Sequence, residues 1–274
     1  MKKIYILLLI FLPFLISDSE NLNSELLVTF FNVESADSIL IKTPDSTILI
    51  DGGDEDTKKY LVYSLKKRGV NAIDHLILTH PHKDHYGGLD AIITNFKVHN
   101  FYTSKIDVDN EELLSLFKLI KAKTTNTFLV NTPTNFDFSN YLNIQVLSPK
   151  NDTSSNDNNF SIVLKITFEK YIFLLMGDAE DEIENQIISE NIHCNFLKVG
   201  HHGSNTSSSA EFIKKASPDF SIISVGKYNS YGHPAKSTLD TLNKYTKRHI
   251  FRTDVDGTID VIVKNNKCTI NTED

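Results

Sequence analysis

Three imidazoles and a carboxylate fall within six residues at His80-Pro81-His82-Lys83-Asp84-His85. These are the nitrogen and oxygen donors that Zn²⁺, Mn²⁺ or Fe²⁺ accept. They follow directly on Leu76-Ile77-Leu78, an apolar run that reads as a buried strand, so the cluster abuts a core and not a polar tail. Pro81 restricts the turn, and Gly87-Gly88 lets the backbone bend before the next helix. The chemistry indicated is that of a divalent-metal site.

The ends of other predicted strands carry similar residues. Thr47–Ile50 ends at Asp51-Gly52-Gly53, and Tyr171–Met176 ends at Gly177-Asp178. Phe196–Val199 ends at Gly200-His201-His202-Gly203-Ser204, and Phe220–Val225 is followed by Tyr231-Gly232-His233-Pro234. Six of the ten histidines (80, 82, 85, 201, 202 and 233) stand at such ends. Strands that share a sheet system and run the same way would bring these ends to one rim, where a rigid scaffold presents its site. His75, His99, His193 and His249 lack motif partners and read as structural or surface residues. Asp37 reads as a strand-end hydrogen-bonder, and Asp254 and Asp256 as turn builders.

The elements that must position these groups alternate. Strands are expected at Leu26–Phe31, Ser38–Ile41, Thr47–Ile50 and His75–Thr79, with helices at Asp56–Arg68, Leu89–Phe96 and Glu111–Lys121. A second half repeats the style. Strands are expected at Ile144–Leu147, Ser161–Phe168, Tyr171–Met176, Phe196–Val199 and Phe220–Val225, with helices at Asp181–Asn191, Ala210–Ala216 and Thr238–Tyr245. Thr258–Val263 and Cys268–Asn271 close the chain as strands, while the polar stretch 151–159 reads as a loop. Mixed elements in two similar halves predict an α/β (α+β) fold of layered sheets covered by helices, in one domain over residues 26–274.

Asp51-Gly52-Gly53, the His-x-His-x-Asp-His run, Gly177-Asp178 and the later His-His-Gly-Ser resemble the metallo-β-lactamase-fold hydrolases. Phe31-Asn32-Val33, Ala36-Asp37-Ser38-Ile39-Leu40, Asn158-Asn159-Phe160-Ser161, Leu197-Lys198-Val199-Gly200-His201-His202-Gly203-Ser204 and Asn229-x-Tyr231-Gly232-His233-Pro234 narrow the likeness. They resemble the hydrolase domain of ComEC-type competence proteins, from about Phe30 to Ile262; those proteins' membrane channel has no counterpart in the matching region.

The resemblance implies a four-layer αββα sandwich with two divalent cations at one edge, zinc as the first expectation and manganese as the second. His80 and His82 would hold one cation, Asp84 and His85 the other, and Asp178 would bridge them. Either His201 or His202 would complete the second site. Asp51 would orient an imidazole through its remaining N–H. Asn158-Asn159 stand where the β-lactamases place another histidine, leaving room for water or a substrate oxygen. Paired cations lower the pKa of a shared water and clamp phosphoryl oxygens, which implies hydroxide attack on a phosphodiester, DNA foremost. Asp84 and His233 are the catalytic candidates beside Asp51, with His233 as a proton donor or further ligand. Gly203, Ser204 and Asn205 are expected to hold a phosphoryl oxygen along with Asn158 and Asn159. Two other readings stay open: an esterase acting on a phosphocholine- or lactone-type substrate, and a catalytically silent metal-binding surface protein.

Met1-Lys2-Lys3, the apolar run Ile4–Ile16 and the small polar residues after it read as a secretory signal over residues 1–19, followed by a linker at 20–25. The run is short for a membrane span, which needs about 20 residues. The expectation is a secreted or cell-surface protein with no membrane domain after cleavage; an uncleaved anchor is the alternative. A formal charge of −7 excludes broad phosphate gripping by a basic face. Lys83, Lys198, Lys227 and Lys236 are expected near the rim, where they would offset that charge locally. Cys194 and Cys268 could pair or remain free thiols.

Overall fold

The computed structural model describes residues 24–106, 110–124, 126–150 and 154–273; the expected signal segment lies outside them. Strands follow in the order β1 (Glu25–Phe30), β2 (Ile39–Lys42), β3 (Thr47–Ile50), β4 (Ala72–Leu78), β5 (Lys97–Thr103), β6 (Asn126–Leu129), β7 (Thr134–Phe136) and β8 (Asn143–Ser148). They continue with β9 (Val163–Phe168), β10 (Tyr171–Leu175), β11 (Phe196–Lys198), β12 (Phe220–Ile223), β13 (His249–Arg252), β14 (Thr258–Lys264) and β15 (Lys267–Glu273). One sheet has the order β15-β14-β1-β2-β3-β4-β5-β6, the other β13-β12-β11-β10-β9-β8-β7.

In each sheet a parallel block forms the part nearest the histidine-rich turns. β3, β4, β5 and β6 run parallel in one, and β10, β11, β12 and β13 in the other. The carboxyl ends of such blocks are where open α/β sheets place ligands.

Alternation along the strands sends one set of side chains between the sheets. Val28, Phe30, Ile39, Ile41, Ile48 and Ile50 from the first meet Ile144, Val146, Ile166, Phe168, Phe173 and Phe196 from the second. Phe173 stacks on Phe196 at 4.7 Å between ring centroids. The opposite faces are covered by helices α1 (Lys58–Lys67), α2 (Lys83–Tyr86), α3 (Leu89–Asn95) and α4 (Glu111–Lys123) on the first sheet. Helices α5 (Asp181–Ile187), α6 (Ala210–Ala216) and α7 (Lys236–Tyr245) cover the second; α8 (Thr253–Asp256) is a single turn before β14. The expected αββα layering is present.

Local sequence explains these helices. In α4, Leu113, Leu116 and Ile120 fall on one buried face, Asn110 accepts a hydrogen bond from the Leu113 N–H, and Lys121 and Lys123 sit in the last turn. In α1, Leu61 and Leu65 are buried four residues apart. α5 ends a turn before the expected Asn191, and the chain then drops Ile192 and Cys194 into the core at 0% exposure.

Four strands were not expected. β5 carries His99 and Asn100 mid-strand, β6 is exposed throughout, and β7 and β13 are short edge strands; each is defined by its neighbour and not by its own alternation. His75 packs as a structural ring, stacked on Phe138 at 3.8 Å with its pKa lowered to about 4 by burial. Asp254 pairs with Arg252, and Asp256 accepts from the Arg252 backbone, so both build the turn before β14. Cys194 and Cys268 are free, one under the α5–α7 layer and one against the intersheet core.

Truncating Phe173 to Ala removes an intersheet ring at 1% exposure. The variant should lose about 3–5 kcal/mol of unfolding free energy, measured by urea denaturation.

Candidate metal centre

Three loops at one edge of the sandwich deliver His82, Asp84, Asp178, His201 and His202 to a cleft of ≈ 580 Å³, and a fourth, between β12 and α7, adds His233. The first loop follows β4. Its base is Asp51, which leaves β3 with φ 59 and accepts from the Thr79 N–H, the Thr79 hydroxyl and His85 Nδ1, each at 2.8 Å. A carboxylate can only accept, so His85 Nδ1 carries a proton and Nε2 is the atom that faces the cleft. The Thr79 hydroxyl, its proton given to Asp51, accepts from His80 Nδ1 at 3.2 Å and leaves His80 Nε2 free in the same way. The loop lies this close to β3 because a Cβ on Gly88 would stand 2.2 Å from the Gly52 carbonyl oxygen.

The second loop follows β10. Gly177 turns with φ 55, and the Asp178 N–H donates to the Ser161 hydroxyl at 3.0 Å. The third follows β11, where His201 and His202 both adopt left-handed φ/ψ, a conformation that costs a β-carbon-bearing residue on the order of 1 kcal/mol or more. This double reversal separates the two rings. His202 Nδ1 donates to the Ser224 carbonyl at 2.9 Å, which directs Nε2 into the cleft. His201 turns away, its Nδ1 3.1 Å from the Thr206 hydroxyl and 3.2 Å from Glu180.

The inward atoms converge. Asp178 Oδ2 lies 3.3 Å from His85 Nε2, 3.4 Å from His202 Nε2 and 3.9 Å from His80 Nε2. Asp84 Oδ2 lies 3.2 Å from His202 Nε2 and 3.8 Å from His85 Nε2. Two donors bound at about 2.1 Å to one tetrahedral cation stand roughly 3.4 Å apart, so these separations match a shared ion. Asp84, His85, Asp178 and His202 have all their ligand atoms within 4.8 Å of one another. His80 Nε2, His85 Nε2, His202 Nε2 and Asp178 Oδ1 are buried without hydrogen-bond partners, a cost that coordination would remove. His82 lines the cleft beside His80, ring centroids 4.6 Å apart. Asp84, His85, Asp178 and His202 therefore fit a cation, with the imidazoles of His80 and His82 beside them.

Without cations the groups bias one another. Burial pulls the His202 imidazolium down, but Asp178 and Asp84 carry it up to about 10. His85 is likewise opposed by burial and raised well above the usual histidine range by Asp178, Asp51 and Asp84. Burial would raise Asp178, yet His202 and His85 hold it well below the carboxylate range. His80 is pushed well below the usual histidine value by burial and by His85.

Other expected residues stand elsewhere. Asn158 and Asn159 do not line the cleft: their amides donate to Glu180 Oε1 at 2.9 Å and Glu182 Oε2 at 2.7 Å, tying the turn before β9 to the loop after Asp178. Gly203, Ser204 and Asn205 do not line it either. Ser204 is buried with its hydroxyl 3.1 Å from that of Thr206, Gly203 is packed against Pro234, and Asn205 is exposed. These groups brace the loops. His233 does line the cleft, 5.7 Å from the His201 ring, with its pKa lowered by burial and by His201 and His202.

Lys198 is no rim cation: its side chain is 0% exposed and pairs with Asp37 at 2.6 Å. Lys83 pairs with Glu55 and Glu112, and Lys236 with Asp240. The Asp37–Lys198 pair was not legible beforehand. Asp37 Oδ1 reaches to 3.9 Å from His202 Nδ1, and its backbone N–H donates to the Asp84 carbonyl, so the pair braces two cleft residues from behind.

The chain belongs to the metallo-beta-lactamase superfamily, whose family model matches residues 32–227. Its relatives are competence proteins of the ComEC type. It is 33% identical over 214 residues to ComE operon protein 3 of Bacillus subtilis, covering 76% of this chain and 27% of that protein. It is 31% identical over 211 residues to Recombination protein 2 of Haemophilus influenzae, covering 77% of this chain and 24% of that protein. The chain thus spans about a quarter of the length of these relatives. Among solved structures, the metallo-beta-lactamase fold protein YhfI from Bacillus subtilis superposes with a TM-score of 0.56 at 13% identity, over 90% of this chain and 100% of that one.

His202→Ala should lower the bound-metal stoichiometry measured by plasma emission spectrometry, whereas His201→Ala should leave it unchanged. Since His202 and His85 hold protons at pH 7, an entering cation must displace them. Metal affinity should therefore rise with pH towards about 10. Calorimetric titration in buffers of different ionisation enthalpy should show net proton release.

Proposed function

We propose that this chain is an exported, binuclear metal-dependent phosphodiesterase acting on DNA. The observation that carries this reading is the set of unpartnered Nε2 atoms of His80, His85 and His202 around Asp178. His80 and His82 would hold one cation, and Asp84, His85 and His202 the other, with the Asp178 carboxylate available to both. When bound, paired divalent cations supply a water of lowered pKa and neutralise charge developing on a phosphoryl group.

The chain's own residues prepare that chemistry. Asp51 fixes the His85 ring and its tautomer, and the Ser224 carbonyl does so for His202. His233 stays neutral at pH 7, and a ring N–H of the neutral form can still donate to a leaving oxygen. His82 and Asp84 are the half-buried members of the set, the Asp84 side chain 32% accessible, and so the ligands that an incoming substrate meets. A nucleic-acid substrate is supported by the relative named Recombination protein 2, recombination being a reaction of DNA. Export rests on Met1-Lys2-Lys3 and the apolar run after it. No helix of the described residues is long and apolar enough to cross a membrane.

Plasmid and single-stranded DNA, digested with added Mn²⁺ or Zn²⁺ beside bis-nitrophenyl phosphate, test the reading. Cleavage of both substrate types supports it; cleavage of the small diester alone moves the substrate to another ester, and inertness with two metals bound points to a binding module. His82→Ala should lower kcat/KM by more than about 100-fold, since even residues behind the ligands are worth 10–100-fold. The melting temperature should hold within a few degrees; unfolding of this variant would make the cluster a structural site instead.

A further inference from the structure

The two most exposed large hydrophobic side chains among the described residues lie three positions apart in one loop beside the cleft. Tyr228 is 89% accessible and Tyr231 77%. Both lie in the loop that connects β12 to α7, and Tyr231 lines the cleft itself beside His233, with ring centroids 5.7 Å apart and planes 24° apart. The loop is held from within. The Asn229 amide donates to the Gly226 carbonyl at 2.9 Å and to the His233 carbonyl at 2.8 Å, and its oxygen accepts from the His233 N–H at 2.8 Å. The base of the loop is fixed too, because the Ala235 N–H donates to the Gly203 carbonyl at 2.8 Å, and a Cβ on Gly226 would meet Ser35 at 2.6 Å. A braced loop thus displays two flat, half-apolar faces, with that of Tyr231 at the polar, metal-ligating cleft.

We propose that Tyr228 and Tyr231 form a stacking platform for nucleobases flanking the scissile phosphate, and that this makes single-stranded nucleic acid the preferred substrate. The inference rests on the phosphodiesterase reading and adds the substrate class to it. Charge supports stacking as the source of affinity. The cations expected at the rim are committed elsewhere: Lys198 to Asp37, Lys83 to Glu55 and Glu112, and Lys236 to Asp240. Lys227 remains at the platform, its ammonium 5.9 Å from the centre of the Tyr228 ring. An acidic protein with so little free positive charge at its site gains little from counterion release, whereas every base offers a π-face irrespective of sequence. Bases inside a duplex are already stacked on one another and cannot lie on the tyrosines without leaving the helix. Tyr231, beside His233, would take the base nearest the cleaved bond, and Tyr228 the next one out.

Fluorescence anisotropy of the metal-loaded protein tests the platform with three end-labelled probes: a 12-nucleotide oligo-dT, an abasic 12-mer of the same backbone charge, and the dT strand annealed to oligo-dA. Oligo-dT should bind at least about 10-fold more tightly than the abasic strand and the duplex. Its affinity should fall by less than about 10-fold between 50 and 200 mM salt, far short of the loss seen when many phosphates are gripped. Replacing both tyrosines by Ala should bring the oligo-dT to abasic ratio towards one, while replacing both by Phe should keep it. Equal binding of oligo-dT and the abasic strand, tighter binding of the duplex, or an unchanged ratio in the Ala variant would overturn the proposal. Cleavage of bis-nitrophenyl phosphate by the wild type is read alongside. Its absence with normal base-dependent binding would strike the hydrolase reading, and its presence with base-independent binding would strike the platform alone.

Discussion

The structure turns on one arrangement: a buried carboxylate from one sheet facing imidazoles from both. Asp178 leaves β10 of the second sheet, while His80 and His85 come from the loop after β4 of the first. His202 arrives from β11 beside Asp178. Desolvating these groups opposes folding, and unpartnered buried nitrogens add to that cost. The arrangement persists because the rest of the sandwich fixes both sheets independently of it. Phe30, Ile50, Phe168, Phe173 and Phe196 fill the space between them, and packing of this density does not deform continuously.

Polar groups behind the ligands transmit that rigidity to the rings. Asp51 is the clearest case: one carboxylate fastens the end of β3, the turn at Thr79 and the His85 imidazole together. The Asp37–Lys198 pair acts across the seam, joining the loop before β2 to the end of β11 with both side chains at 2% exposure or less. Pairs this deeply buried add little net stability against apolar replacements. Its position behind His202 and the Asp84 carbonyl gives it a geometric role.

The same logic explains why several polar residues near the motifs serve the scaffold and not the substrate. Asn158 and Asn159 complete the hydrogen bonding of Glu180 and Glu182, which stabilises the loop carrying Asp178. Ser204 sits inside the reversal that aims His202, and its carbonyl accepts from the Thr238 hydroxyl of α7. The cleft is lined by His82, Asp84, Asp178 and His202 together with His201, His233 and Tyr231, among others.

Much of this was legible in the residues alone. Ligand chemistry is local: His80, His82, Asp84 and His85 announce themselves by type, and the apolar run before them places them at a strand end. Layered sheets covered by helices followed from alternation and helical spacing, the four-layer αββα order and the roles of Asp51 and Asp178 from the family resemblance, and the positions of those two residues from the strand ends they follow. Undecidable from sequence was anything set by side-chain direction. Adjacent histidines 201 and 202 are equivalent as letters; two left-handed residues in succession and the Ser224 carbonyl decided between them. Lys198 reads as a cation at a strand end, and only its contact with Asp37, far away in the chain, turns it inward. β6 and β7 have too little apolar patterning to show themselves, being defined by the strands they pair with. Composition and period fix which groups reach an edge, because they act over a few residues. Which atom of each group faces which partner depends on contacts between segments, and those exist only once the two sheets have closed.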